Sequence, residues 1–263
     1  MPLPIVTLTT DFGHKDSYVA EMKAVIMSIS RGATIVDVSH EIEKFDIRMG
    51  AYVLVCAASY FPMGTIHVAV VDPGVGTSRR ALLVQTDRGF FVGPDNGVLA
   101  LALRDQKIMC IRGITNRKLM MPRISSTFHG RDLFAPAAAH LANGVSPTEF
   151  GPEIGGFAMP DFAGPVNRRG GLVGEVLHVD SFGNVITNFR QTDLERLRIE
   201  FLVTVRFGKA ARSVRICEAY GEAKPRELVA IVGSHGFLEF SVNLGDAARR
   251  FGTKAGDGVV LRP

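Results

Sequence analysis

Hydrophobic positions along the chain change period several times, and each change predicts an element. Residues 4–10 form an apolar and β-branched run ending in Thr9-Thr10-Asp11-Phe12-Gly13, which reads as a buried strand followed by a polar loop. Val19, Met22, Val25, Ile26 and Ile29 then recur at the spacing of one helix face. A second β-branched run at 34–38 leads into Ser39-His40-Glu41, and residues 49–60, rich in Ala, Val and Leu, read as a helix. Residues 66–71 are apolar at almost every position, as a parallel strand covered on both faces requires. Strands alternating with helices in this register predict a doubly wound α/β domain, whose ligands gather beyond the carboxyl ends of the strands. Asp11 and Asp72 both stand at such ends.

Runs 81–86 and 89–92 extend the sheet as a hairpin turning at Asp87-Arg88-Gly89. After Gly93-Pro94-Asp95-Asn96-Gly97 a helix begins at 98–103, and 134–143 supplies the last helix of this half. Between 151 and 171 the periodicity lapses, and Pro152, Gly155, Gly156, Pro160, Gly164, Pro165, Gly170 and Gly171 crowd together. This places an α/β domain over 1–155, a linker over 156–170 and a second domain over 171–263. In the second domain short strands at 174–179, 185–187, 201–206, 213–217, 228–232, 237–242 and 259–262 are separated by Gly and Asn. Little helical periodicity intervenes, which predicts a small all-β barrel or sandwich.

Composition narrows the class. With 263 residues and 46% of them apolar, the chain can bury a large core in one large domain or two smaller ones. The net charge is +4, but basic residues come in scattered pairs, Arg79-Arg80, Arg168-Arg169 and Arg249-Arg250, with acids between them. That is a mixed surface rather than a nucleic-acid track. Cys56, Cys110 and Cys217 are widely separated, with no CxxC pair, which argues against a disulfide framework or a zinc site and fits a reducing cytoplasm. The first residues enter a strand pattern without the basic region and apolar core of a signal peptide, and no apolar run approaches the ~20 residues of a membrane span. No HExxH, paired Cys or Asp cluster predicts a bound metal.

Asp72-Pro73-Gly74-Val75-Gly76 follows the third strand, and Arg79 comes shortly after. Asp72 either caps a turn, with Pro73 fixing φ, or offers a carboxylate beside a guanidinium to a ligand. The loop is not a phosphate cradle, because Arg79 occupies the place of a dinucleotide fingerprint's third Gly and no Gly-Lys-Ser/Thr follows. Asp11 can cap the following helix or accept both hydrogen bonds of a ribose diol. Among seven histidines, His129 stands out within Phe128-His129-Gly130-Arg131-Asp132, where Arg131 and Asp132 either orient the imidazole or pair with each other; His14 and His40 have weaker surroundings. Asp180-Ser181-Phe182-Gly183-Asn184 reads as a hairpin turn or as a site where the Asn184 amide reads the edge of a base. Ser234-His235-Gly236 before Phe237-Leu238-Glu239 is a turn or a polar rim.

Taken in order, Thr9 with Thr10-Asp11-Phe12-Gly13, Val71-Asp72-Pro73-Gly74-Val75-Gly76-Thr77, Phe128-His129-Gly130-Arg131-Asp132, Asp180-Ser181-Phe182-Gly183-Asn184 and the stretch 234–243 resemble the S-adenosyl-L-methionine hydroxide adenosyltransferases. These are adenosine-forming S-adenosylmethionine hydrolases related to the fluorinase and chlorinase, and the resemblance spans essentially the whole chain. It implies that Asp72, Arg79 and His129 assist attack by water, with Asp72 also against the substrate. It further implies that Asp11 holds the ribose hydroxyls, that Asn184 faces adenine with Val242 near it, and that Asp180, Ser234 and Glu239 contribute to the ligand pocket. The same resemblance implies a homotrimer, with the ligand held between the N-terminal domain of one subunit and the C-terminal domain of the next, and no cofactor beside the S-adenosylmethionine substrate. The halogenating relatives have Tyr and Thr where this chain has Asp72 and Val75, and carry an extra loop that is absent between Asp87 and Gly97. A fixed carboxylate repels a halide, so Asp72 argues for water as nucleophile. The expected activity is hydrolysis of S-adenosyl-L-methionine to adenosine and L-methionine; a nucleoside-binding sensor without turnover and a halide adenosyltransferase are the other readings.

Overall fold

The structure is a computed structural model that describes residues 3–168, 171–208 and 210–263. Arg169 and Gly170, counted above in a basic pair and in the linker, lie outside the described residues. The chain divides by its contacts between Pro160 and Asp161.

In the first unit the buried β-branched runs become the middle of a six-stranded sheet. Its strands are β1 (Ile5–Thr10), β2 (Thr34–Ser39), β3 (Thr65–Val70), β4 (Ala81–Thr86), β5 (Gly89–Pro94) and β6 (Ile108–Gly113), in the order β2-β1-β3-β5-β4-β6. The first four in that order run parallel, and β4 alone is reversed, pairing antiparallel with both β5 and β6. Every residue of β3 is buried, because helices cover both faces of the sheet. Val6 and Leu8 of β1 and Ile66, Val68 and Val70 of β3 pack on the side of α1 (Tyr18–Ile29) and α4 (Ala135–Ala142). Alternate positions, Ala69 and then Val71, pack on the side of α2 (Ile47–Ala58) and α3 (Ala100–Leu103). Because β2 and β3 lie on opposite sides of β1, the winding reverses there, and a crevice opens beyond the carboxyl ends of β1 and β3. Asp11 and Asp72 follow those two ends.

Several boundaries differ from the periodicity. The second helix starts at Ile47 because the Asp46 carboxylate accepts from the Met49 amide at 2.9 Å and caps it. Strand β6 was not predicted; at the sheet edge it leaves Ile108 and Met109 exposed, so its pattern lacks the continuous burial of β3.

The second unit comprises β7 (Val166–Arg168), β8 (Gly171–Val179), β9 (Val185–Arg190), β10 (Leu202–Phe207), β11 (Ala210–Cys217), β12 (Leu228–Val232), β13 (Phe237–Val242) and β14 (Gly258–Arg262). The order β14-β10-β11-β12-β13-β9-β8 closes on itself through β8–β14 pairing, giving a seven-stranded barrel with β7 added to β8. Val203, Val205, Phe189, Phe240 and Leu261 belong to its core. The barrel alternative of the expected fold is the one found. Two short helices, α5 (Gln191–Leu197) and α6 (Ala247–Phe251), were not expected. The first is held by Asp193, which accepts from the Arg190 amide at 2.9 Å.

One buried group in the first sheet carries a pH signature. His67 on β3 is 4% exposed, stacks on Phe91 at 4.9 Å and has Nδ1 2.9 Å from Thr7 Oγ1. Burial lowers its pKa from 6.5 to about 4. The unfolded chain therefore takes up this proton at higher pH than the folded one, so its contribution is intact above pH 6.5 and is lost as pH falls toward 4. The loss should be about 3 kcal/mol. Urea unfolding across pH 4–8 should show His67→Gln losing less stability over this window than wild type by about that amount; parallel pH profiles would contradict it.

Candidate active site

The chain after β3 turns immediately: the Val75 amide donates to the Asp72 carbonyl at 3.2 Å, and the Thr77 amide to the Gly74 carbonyl at 3.2 Å. The turn thus uses the backbone of Asp72 and leaves its side chain to another partner. Arg79 Nε donates to both carboxylate oxygens at 3.0 Å, and Arg79 Nη2 donates to Oδ2 in a short contact. Both side chains are buried, 5% exposed for Asp72 and 10% for Arg79. Gly76 has φ +77, and a Cβ there would lie 2.2 Å from the Ser126 carbonyl oxygen. Only glycine lets this loop pass beneath the segment that carries His129.

Arg79 Nη2 also reaches His129 Nδ1, at 2.7 Å. A guanidinium only donates, so Nδ1 is the acceptor and the ring proton sits on Nε2. Burial, and next the positive charge of Arg79, lower the His129 pKa below its ordinary value, while Asp72 and Asp132 oppose this. His129 is therefore neutral at neutral pH. Its neighbours do not orient the ring. Arg131 donates to Asp132 at 2.7 Å and to Glu21 on α1 at 2.9 Å, and Asp132, 1% exposed, accepts from the Ser125 amide at 2.7 Å. These contacts brace the 125–129 segment where it enters a π-helical turn, Gly130–Phe134, that continues into α4. Such turns recur at functional sites.

Across the crevice, Asp11 Oδ2 accepts from the Phe45 amide at 2.9 Å. Phe45 has φ 68, a left-handed angle that a bulky residue adopts only under constraint. Burial raises the Asp11 pKa, the Phe45 amide opposes the rise, and the charge of Asp72 adds to it. Asp11, Asp72 and His129 line one cavity of about 370 Å³ whose apolar wall includes Phe12, Phe45 and Phe128. That volume is in the range of small-molecule sites. Arg79 does not line it and stands behind Asp72 and His129. Sequence reasoning missed Phe45 and the adjacent Lys44 of this cavity; the loop after β2 holds both, and its position at a third strand end was the available signal.

The remaining candidates lie in the second unit. Asp180 Oδ1 accepts from the Phe182 and Asn184 amides, each at 2.9 Å, and Oδ2 accepts from Asn184 Nδ2 at 2.8 Å. The segment is a turn between β8 and β9, as one reading held, and the same bonds set the direction of the Asn184 amide. Ser234 belongs to the turn joining β12 to β13, closed by the Gly233 amide on the Phe237 carbonyl at 2.9 Å. Glu239, 8% exposed, accepts from the Tyr220 hydroxyl in a short contact and from Ser241 Oγ at 3.4 Å. Burial raises the pKa of both Glu239 and Tyr220. Val242, 7% exposed, packs in the barrel core. Among the described residues no helix is long and apolar enough to cross a membrane.

Residues 6–151 match the SAM hydroxide adenosyltransferase N-terminal domain, and residues 174–260 match the C-terminal domain of the same family. The chain belongs to the SAM hydroxide adenosyltransferase family. This family member is 38% identical over 261 residues to the (R)-S-adenosyl-L-methionine hydrolase of Salinispora tropica, covering 97% of each chain. It is 40% identical over 258 residues to the protein of that name from Thermus thermophilus, covering 95% of this chain and 96% of the relative. Identity to a fluorinase of Actinoplanes sp. is 28%, over 96% of this chain and 95% of the fluorinase. Among solved structures, an uncharacterized conserved protein from Thermotoga maritima matches with a TM-score of 0.88 and 40% identity, over 98% of this chain and all of the other (100%). The adenosyltransferase match therefore runs through both units.

Proposed function

We propose that this family member hydrolyses S-adenosyl-L-methionine to adenosine and L-methionine by attack of water at ribose C5′. The observation that carries this reading is a buried carboxylate, Asp72, clamped by Arg79 and facing the cavity across from Asp11. The relatives' shared name specifies the (R) sulfonium, and we extend that epimer to this chain. In the reaction C5′–O forms as C5′–S breaks, the sulfonium leaves as the neutral thioether of methionine, and one water proton is released. The positive sulfur is already an activated leaving group, so the protein's task falls on the nucleophile.

The hydrogen bonds divide that task. Asp72 gives both oxygens to Arg79 but retains further acceptor sites, enough to take a hydrogen bond from water and aim it at C5′. His129 has its Nδ1 lone pair occupied by Arg79, so its remaining ring nitrogen donates and the ring is not a base. This supports Asp72 as the group that receives the water proton, with His129 donating to the water or product oxygen. Arg79 acts by holding the other two. Asp11, opposite, suits a ribose diol, two donors for one carboxylate. The carboxylate in the cavity disfavours a halide in the same place.

The same resemblance supports a homotrimer in which Asp180, Asn184, Ser234, Glu239 and Val242 serve the substrate of a neighbouring copy. No cofactor is invoked. Incubation of the purified protein with S-adenosyl-L-methionine in the presence of chloride and fluoride, followed by chromatography, is expected to give adenosine and methionine in equal amounts. Absence of adenosine above a blank, or a 5′-halogenated nucleoside, would overturn the proposal.

A further inference from the structure

His40 is a buried histidine that the proposed reaction does not use. It follows β2, is 1% exposed and has Nδ1 2.8 Å from Thr10 Oγ1. Its Nε2 lies 3.0 Å from Asp37 Oδ1, off the line of a good hydrogen bond, so this contact is chiefly electrostatic. Asp37 Oδ2 in turn meets Lys23 Nζ of α1 at 2.5 Å. The remaining titratable neighbour is His14, whose ring stands edge-on to His40 at 5.1 Å. A carboxylate beside Nε2 requires the proton there, which leaves Nδ1 to accept the Thr10 hydroxyl. The Thr10 oxygen then accepts from the Phe12 amide at 3.3 Å, and the His40 carbonyl accepts from the Gly13 amide at 2.7 Å. Residues on both sides of Asp11 are thus tied to His40. The β1–β2 register slips between Leu8 and Thr9, so that Thr9 pairs with Ser39, an irregularity of the kind that re-aims side chains beside active sites.

We propose that His40 is a positioning residue: a relay from Asp37 through His40 to Thr10 fixes the Asp11 loop and so sets the affinity for the ribose diol of the substrate. This rests on the reading of the cavity as an S-adenosylmethionine site. A merely structural His40 would affect stability and leave discrimination at the ribose untouched. The relay predicts otherwise, because it acts on ligand only through Asp11.

The test is calorimetric binding of adenosine and 2′,3′-dideoxyadenosine to wild type, Thr10→Val, Thr10→Ser and Asp37→Asn. Thr10→Val should weaken adenosine about tenfold while changing dideoxyadenosine less than about twofold. Thr10→Ser, which keeps the hydroxyl, should bind both as wild type does. Asp37→Asn alters a side chain one-third exposed (33%) and keeps its volume, so it reports even where Thr10→Val fails to fold. It should weaken adenosine about threefold with the same selectivity. Equal losses for both nucleosides, or unchanged adenosine binding in both Thr10→Val and Asp37→Asn, would overturn the relay alone. Wild type that binds neither nucleoside would overturn the functional reading, and the relay's role with it.

Discussion

Asp72→Asn is expected to lower kcat by about a thousandfold, in the middle of the range for losing a positioned proton acceptor, while KM changes less than about threefold. The amide keeps the size of the carboxylate and one acceptor oxygen for Arg79. It lacks the charge to draw a proton from water as C5′–O forms. The ground-state complex needs no proton transfer, so binding survives and the loss concentrates in the transition state. Steady-state release of adenosine by both proteins reads the division directly. A KM rise with kcat preserved would place Asp72 in substrate binding and remove it from the chemistry.

Arg79→Met should be the most damaging change for stability. The pair it breaks has both side chains almost wholly buried, and the variant leaves the Asp72 carboxylate in that setting with no counter-charge. Breaking a buried ion pair from one side costs about 3–5 kcal/mol, because the desolvation of the survivor is no longer offset. It also withdraws the donor that fixes the His129 tautomer. Urea unfolding should show that loss for Arg79→Met and a smaller one for the double variant Asp72→Asn with Arg79→Met, since the second change removes the stranded charge. Simple additivity, or a loss below about 1 kcal/mol for Arg79→Met, would show that the two residues are not coupled as the geometry indicates.

The two aspartates were legible because β1 and β3 are buried from both sides. Their apolar runs are therefore unmixed with surface positions, and the polar residue that ends each run is conspicuous. Edge strand β6 and the seven-residue helix α5 gave no such contrast, the first for its exposed Ile108 and Met109, the second for its length. Arg79 was visible as a neighbour in sequence, yet its place behind the other two depends on how the 72–79 loop turns under Ser126, which periodicity does not report. His129 illustrates the reverse: of the two readings of its neighbours, orienting the ring or pairing with each other, Arg131 and Asp132 follow the second, with Glu21 and Ser125 as further partners. Along β13 every position is buried, yet Glu239 and Ser241 alternate with Leu238, Phe240 and Val242 of the core, so the alternation itself separates Val242 from Glu239, which faces Tyr220.

The central claim is that water held by Asp72 is the nucleophile at C5′. Turnover of S-adenosyl-L-methionine in water enriched in oxygen-18, with mass spectrometry of the products, tests it most directly. One labelled oxygen in the 5′-hydroxyl of adenosine, and none in methionine, is the predicted result; unlabelled adenosine, or label recovered in methionine alone, would contradict it.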